Sequence, residues 1–333
     1  MAIDMKHQPP EDRREEIARA ALSSLLTVAG LGGDVSERAL SFMSAVRDHL
    51  MHVNVDLVTL ETISPMQLAE AVPETEWRER ILRGMTLIAM LEGPPSEERL
   101  ALLDETARVC EIDGAPVHTF RELLKERIHR VHLDLVRRSF VRQAVKAYVK
   151  VEGPHALLDV AKGLLGKEDP ALASRYHTLD TYPEGTFGRA YADFIARNDF
   201  SYPGETGGPP PPVMRHDCCH VLGGYGTTPP EECAVLAFQA GFEKIDPFFV
   251  ILFAYAQFEI GIGASPFLPG TEGEIDPESM FQALEHGIHV NTDLIGDAAF
   301  DPWQEFDQPL EKVRLKFDIP PRGRAPEYPE LSE

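Results

Sequence analysis

An all-α fold is predicted for this chain of 333 residues. Three observations predict it. Apolar residues recur at helical spacing along most of the chain. Capping residues and Pro or Gly turns punctuate those runs. A helix–turn–helix pattern returns after sixty residues: Ala29, Leu31, Gly33, Ser36, Glu37 and Leu40 recur as Ala89, Leu91, Gly93, Ser96, Glu97 and Leu100. Two helical domains are expected, 1–152 and 153–320, followed by a flexible tail, 321–333. The first is expected to be an internally duplicated bundle.

The elements follow in order. The first ten residues are polar, end in Pro9-Pro10 and are expected to fray. Ile17, Ala21, Leu25 and Val28 fall on one face of a helix that begins near Glu11 and ends at Gly32-Gly33. Asp34 then reads as an N-cap, with Glu37 three residues on completing a capping box. Leu40, Met43, Val46 and Leu50 continue the apolar face of the next helix. Residues 117–151 read as one long helix, charged and free of Gly and Pro. A short helix, Ala156 to Leu165, follows. Pro183 and Gly185 make a turn, and Thr186 caps a helix running to Ala196. Tyr202 to Pro212, with three glycines and four consecutive prolines, is a loop.

Beyond the loop, a helix through residues 215–220 ends at Gly223-Gly224-Tyr225-Gly226, and Pro229-Pro230 opens another. Asp246-Pro247 caps the most apolar helix, Phe248 to about Ile262, interrupted by Glu259. Being apolar nearly all round, it must lie in a core, against lipid or in the interface of a homo-oligomer. A helix from Glu278 to Ile295 and a last amphipathic one from near Trp303 to Phe317 complete the reading.

Charge narrows the function. Lys and Arg number 32 against 54 Asp and Glu, a net of −22. Residues 151–333 carry 12 basic against 30 acidic side chains. Nucleic acid is therefore not an expected partner. The four cysteines form no CxxC, and reduced thiols in a cytoplasmic protein without a signal peptide are expected. No apolar run reaches the ~18–20 residues of a membrane span.

The chemistry concentrates in Arg215-His216-Asp217-Cys218-Cys219-His220 and in Glu232. On a helix, His216 and His220 at i and i+4 are neighbours on one face. Asp217 points about 60° from His220, so the three side chains share roughly a 100° arc. A short turn brings Glu232 back toward them. Two imidazoles and two carboxylates are a nitrogen and oxygen ligand set that suits Zn²⁺, Fe²⁺, Mn²⁺ or Co²⁺, which the residue types do not separate; zinc is the first expectation and iron the second. Equally, Asp217 and Glu232 can serve as first-turn acids complementing their helix dipoles. Cys219 can flank the site, and Cys218 points away. Glu285-His286 with His289 is a second, weaker cluster. Arg189 can bind an anionic head group or simply be solvated. Phe249 and Phe253 are candidate substrate-binding residues, although an aromatic run is more often core.

Two resemblances add to this. The helix–turn–Ser-Glu pattern over roughly residues 12–140 resembles the tellurite-resistance B-like helical domain. That likeness implies metal-binding acids near the turns, at Asp34 and Glu92, although a cap and a solvated turn account for both. Residues 178–320 resemble the coenzyme Q biosynthesis protein 4 family of ubiquinone biosynthesis. The likeness rests on Pro183-Glu184-Gly185-Thr186-Phe187-Gly188-Arg189 and on His216-Asp217, His220 and Glu232 at the family's spacing.

This resemblance implies an all-α unit with a metal on those four residues. It implies an apolar pocket for a prenylated quinone precursor or other isoprenoid lipid, helped by the Phe248–Ile262 helix, and peripheral contact with a membrane. The implied activity is metal-dependent oxidative decarboxylation of a polyprenylated hydroxybenzoate. A non-catalytic lipid-binding scaffold with a structural metal and a metal-binding stress-response module are the alternatives. Acidic residues where the family is basic, as in Phe300-Asp301-Pro302-Trp303, weaken docking on an anionic membrane.

Overall fold

The computed structural model describes residues 8–125, 141–263 and 269–322. Among them every regular element is a helix, and β pairing is confined to the isolated bridges Thr186–Pro309 and Ile260–Glu272. In chain order the helices are α1 (Arg14–Ala29), α2 (Glu37–Ala45), α3 (Pro65–Ala71), α4 (Thr75–Leu91), α5 (Glu97–Val109), α6 (Ala115–Leu124), α7 (Val141–Glu152), α8 (Ala156–Leu164), α9 (Pro170–His177), α10 (Phe187–Arg197), α11 (Met214–Gly223), α12 (Pro229–Phe242), α13 (Pro247–Ala254), α14 (Pro277–Ile288), α15 (Pro302–Glu305) and α16 (Leu310–Lys316). The all-α class holds.

The chain forms two compact units, which differ from the expected division at residue 152. The first comprises Met1–Ser139 together with Asp246–Glu285, the second Phe140–Ile245 together with His286–Glu333. The apolar helix α13 thus belongs with the N-terminal helices and not with the 153–320 segment that carries the ligand candidates. Its composition explains why: apolar on every face, it gives no sign in sequence of which unit receives it.

In the first unit α1 packs along α4. Ile17, Leu22, Leu25 and Val28 of one and Ile81, Leu82, Met85 and Ile88 of the other are buried, each worth about 1.5–3 kcal/mol on leaving water. Ser36, not Asp34, caps α2: its hydroxyl oxygen accepts from Ala39 N–H at 3.0 Å, while Asp34 is exposed. The same Ser36 hydroxyl donates to Glu92 Oε1, so that carboxylate serves the packing of two turns. Ser96 caps α5 in the same manner.

The expected 248–262 helix becomes α13 and a π turn, Tyr255–Glu259. There the Glu259 carboxylate takes both ends of the Arg38 guanidinium at 2.7 Å. Of the expected 117–151 helix, α6 and α7 are seen at its ends; residues 126–140 lie outside the described set. Most of the tail, 323–333, lies outside it too.

In the second unit Thr186 caps α10 as expected, accepting from Arg189 N–H. Gly188 is required there: a Cβ would lie 2.8 Å from the Tyr182 ring and 3.0 Å from Phe306 O. The expected 303–317 helix is two pieces, α15 and α16, parted just before Leu310. Pro309 lacks the N–H needed to continue a helix, and it becomes the N-cap of α16. The 278–295 helix ends early, at Ile288.

Candidate metal centre

The four prolines of the preceding loop deliver the chain through a 3₁₀ turn, Pro211–Val213, directly into α11. Arg215 fastens that helix from its first turn. Its side chain is 2% exposed, and its guanidinium donates to the carbonyls of Leu294 (2.9 Å), Ile295 (3.3 Å), Asp297 (3.0 Å) and Phe300 (2.5 Å). At the other end Gly224 adopts φ +76°, a left-handed cap that glycine takes without strain, and the Gly224 and Tyr225 N–H groups both donate to His220 O at 2.9 Å. Arg314 donates to the last carbonyls, Val221 at 3.0 Å and Leu222 at 2.9 Å. The turn that follows sends α12 back beside α11, with Glu232 in its first turn.

This hairpin brings three of the four expected ligands together. His216 Nε2 and His220 Nε2 are 3.2 Å apart. Glu232 Oε2 lies 3.4 Å from the first and 3.6 Å from the second. A tetrahedral ion with bonds of about 2.1 Å separates its donor atoms by about 3.4 Å, so the triangle has the dimensions of one face of such a coordination shell. Among the described residues it is the one cluster of three or more His, Cys, Asp or Glu side chains with this capacity.

Asp217 stands outside the triangle. Its helical angle permits membership, but its carboxylate is buried and accepts from Tyr191 OH at 3.4 Å. Burial raises its pKa to about 7, with Glu232 adding to the rise and His216 and Tyr191 opposing it. Burial also pushes Glu232 upward, yet its bonds to His216 and His220 outweigh that and hold the carboxyl down at about 2. The triangle's own carboxylate is therefore anionic at neutral pH, as a metal ligand must be.

Gln239, two turns beyond Glu232 on α12, places its amide 2.5 Å from His216 Nδ1. For His216 Nε2 to offer its lone pair to an ion, Nδ1 must carry the proton. The amide oxygen is then the atom that faces it, a choice that heavy-atom positions leave to chemistry. Sequence reasoning missed Gln239; the i+7 spacing from Glu232 is the signal that would have found it. His220 is held differently: the Phe194 ring stacks on it at 5.2 Å between centroids, and its buried Nδ1 has no hydrogen-bond partner among the described atoms.

The other candidates lie elsewhere. Arg189 pairs with Asp193 at 2.8 Å and donates to Asp180 O, a surface i,i+4 arrangement. Phe249 and Phe253 belong to the first unit. Cys219 is fully buried and donates its thiol to Arg215 O, and burial raises the pKa of both it and Cys218. His286 is no ligand: its Nδ1 meets Tyr225 OH at 2.8 Å and its Nε2 the carbonyl of Pro320 at 2.7 Å. Glu285 accepts from His49 at 2.7 Å. Asp34 and Glu92 form no ligating cluster among the described residues.

Compared with protein-family models the chain matches none, and no curated protein matches it. No helix among the described residues is long and apolar enough to cross a membrane.

Proposed function

We propose that the second unit binds one divalent metal ion on His216 Nε2, His220 Nε2 and Glu232 Oε2, and that this ion serves catalysis. The observation that carries the reading is the triangle of donor atoms, 3.2, 3.4 and 3.6 Å on its edges, held in a water-poor setting. Three protein donors leave a tetrahedral ion one position for water or a substrate oxygen, the pattern of catalytic zinc sites as opposed to closed structural ones. Zinc is proposed first and iron second; both suit two imidazoles and a carboxylate.

The reaction proposed is the one implied by the likeness to the coenzyme Q biosynthesis protein 4 family: oxidative decarboxylation of a prenylated hydroxybenzoate, in which the ring carbon loses CO₂ and gains a hydroxyl while dioxygen, the co-substrate, takes the two electrons. When bound, the metal would supply Lewis-acid attraction for the substrate's carboxylate or phenolate oxygens. The chain's own residues fix its place. Arg215 anchors the ligand helix, Gln239 sets the His216 tautomer, and Glu232 contributes negative charge.

The test is metal titration of the full chain by calorimetry and by the visible spectrum of bound Co²⁺. Wild type is expected to bind one ion, and His220→Ala and Glu232→Ala are expected to lose it while keeping helical circular dichroism. Asp217→Asn is expected to keep it. Normal binding by His220→Ala would sink the site assignment. If metal binds but the loaded protein, given oxygen, releases no CO₂ from a prenylated hydroxybenzoate, the reaction fails and the metal centre stands.

A further inference from the structure

A cavity of about 140 Å³ lies within the first unit, enclosed by α1, α2, α4, α13 and α14. Its wall is almost wholly apolar, with Ile17, Leu25, Phe42, Trp77, Ile251 and Phe281 among its lining. All six of these side chains are buried. Protein interiors pack to crystal density with few voids larger than a water molecule. A void of about 150 Å³ with such a lining stays dry and accepts a benzene-sized guest. Val46, Leu50, Arg80 and Arg83 are only partly buried, so the space reaches the surface along one side.

The charge at this rim is what selects the guest. Arg80 donates to Glu76 at 2.8 Å and lies over the Trp77 ring, 4.4 Å from its centroid. Arg83 pairs with Asp246 at 2.9 Å and with Glu79 at 3.5 Å. Two guanidiniums thus face three carboxylates. Among the described lining residues both guanidiniums are paired, and an added carboxylate or phosphate would meet a surplus of its own sign in the three carboxylates that face them. We infer that this cavity is a binding site for a neutral, hydrocarbon-rich small molecule: a ring of benzene to naphthalene size, or the uncharged end of a longer chain.

The inference is independent of the metal centre, whose ligands lie in the other unit. The helix phase also distinguishes it from the sequence expectation: the α13 residues on this wall are Pro247, Phe248 and Ile251, not Phe249 and Phe253.

Trp77 gives the site its own reporter. The chain has two tryptophans, so Trp303→Phe leaves Trp77 as the one indole. The probe is the neutral dye 1-aminonaphthalene, added to the full chain in that background. It is expected to bind saturably, with energy transfer from Trp77. Toluene or decanol is expected to displace it, and decanoate to do so at least about 10-fold less well, since a buried unpaired charge is strongly disfavoured. Whether toluene or decanol competes better separates the ring from the chain end.

Ala21→Phe on α1 and Val46→Phe at the rim each put a ring into the space and are expected to weaken dye binding at least about 10-fold. Circular dichroism checks that each folds. His220→Ala is expected to leave dye binding unchanged. Absence of dye binding, decanoate competing as well as decanol, or full binding by a folded Val46→Phe would each overturn the inference.

Discussion

Replacing Arg215 with methionine should destabilise the second unit by about 3–4 kcal/mol. Methionine matches the length of the arginine stem but donates no hydrogen bonds. The wild-type guanidinium satisfies four backbone carbonyls, those of Leu294, Ile295, Asp297 and Phe300. A hydrogen bond with a charged partner contributes about 1.5–3 kcal/mol net, and a carbonyl left buried without a donor costs about 1–3 kcal/mol. Simple summation would overstate the loss. Burial lowers the pKa of Arg215, a sign that the charge was costly to desolvate, and that cost is recovered in the variant. Fully apolar replacements of buried ion pairs succeed because both partners leave; here the carbonyls stay behind. Arg215→Lys should regain only part of the difference, because one ammonium cannot reproduce the planar fork.

The assay is urea unfolding followed by Trp303 fluorescence in a Trp77→Phe background, so that the signal comes from the second unit alone. The midpoint should fall with the slope unchanged. A loss below about 1 kcal/mol would refute the reasoning, because the four bonds would then be worth no more than the desolvation they require.

Three further outcomes are expected. Gln239→Leu should lower metal affinity by about 10–100-fold by calorimetry with little loss of stability, as outer-shell partners of ligating histidines do. Gly287→Ala should destabilise by at least about 1–3 kcal/mol in the same urea assay. Its Cβ would stand 1.9 Å from Phe238 O, so the backbone at Gly287 must move off α12. His286 should make stability depend on pH on the acid side. Burial lowers its pKa from 6.5 to about 4, so between those values the unfolded chain binds a proton that the native one does not. Stability is then full above pH 6.5 and falls as the pH drops toward 4, by up to about 3 kcal/mol. His286→Phe should flatten the urea-midpoint profile over that interval.

Much of this was legible from local chemistry. Thr186 and Asp246 were readable as caps because each precedes a helical run and needs only its own side chain to close the turn. The His216–His220 pair followed from the helical repeat, and the return of Glu232 from Gly224 and Pro229 on either side of a short turn. Other features depended on contacts that spacing does not record. Asp217 shares the arc of the two histidines, but Tyr191, from a different helix, claims it. Asp34 and Ser36 are both good cap residues two positions apart, and where the preceding turn ended decided between them. The allegiance of α13 to the first unit was hidden because its fixing partners, Arg38 and Arg83, lie over 150 residues earlier.

The ligand triangle is also local in the chain: its three members fall between residues 216 and 232, on one helical hairpin. Short helices form and short loops close within about a microsecond, and closing so short a loop costs little entropy. The anchor of the same hairpin, Arg215 on residues 294–300, spans about eighty residues and must wait for a much longer loop to close. An ion present during synthesis would therefore meet its binding residues before the C-terminal part of the second unit, His286–Glu333, exists. It would hold α11 and α12 in register while the chain ahead of the anchor is still being made. Metal supply would then act on the yield of folded protein.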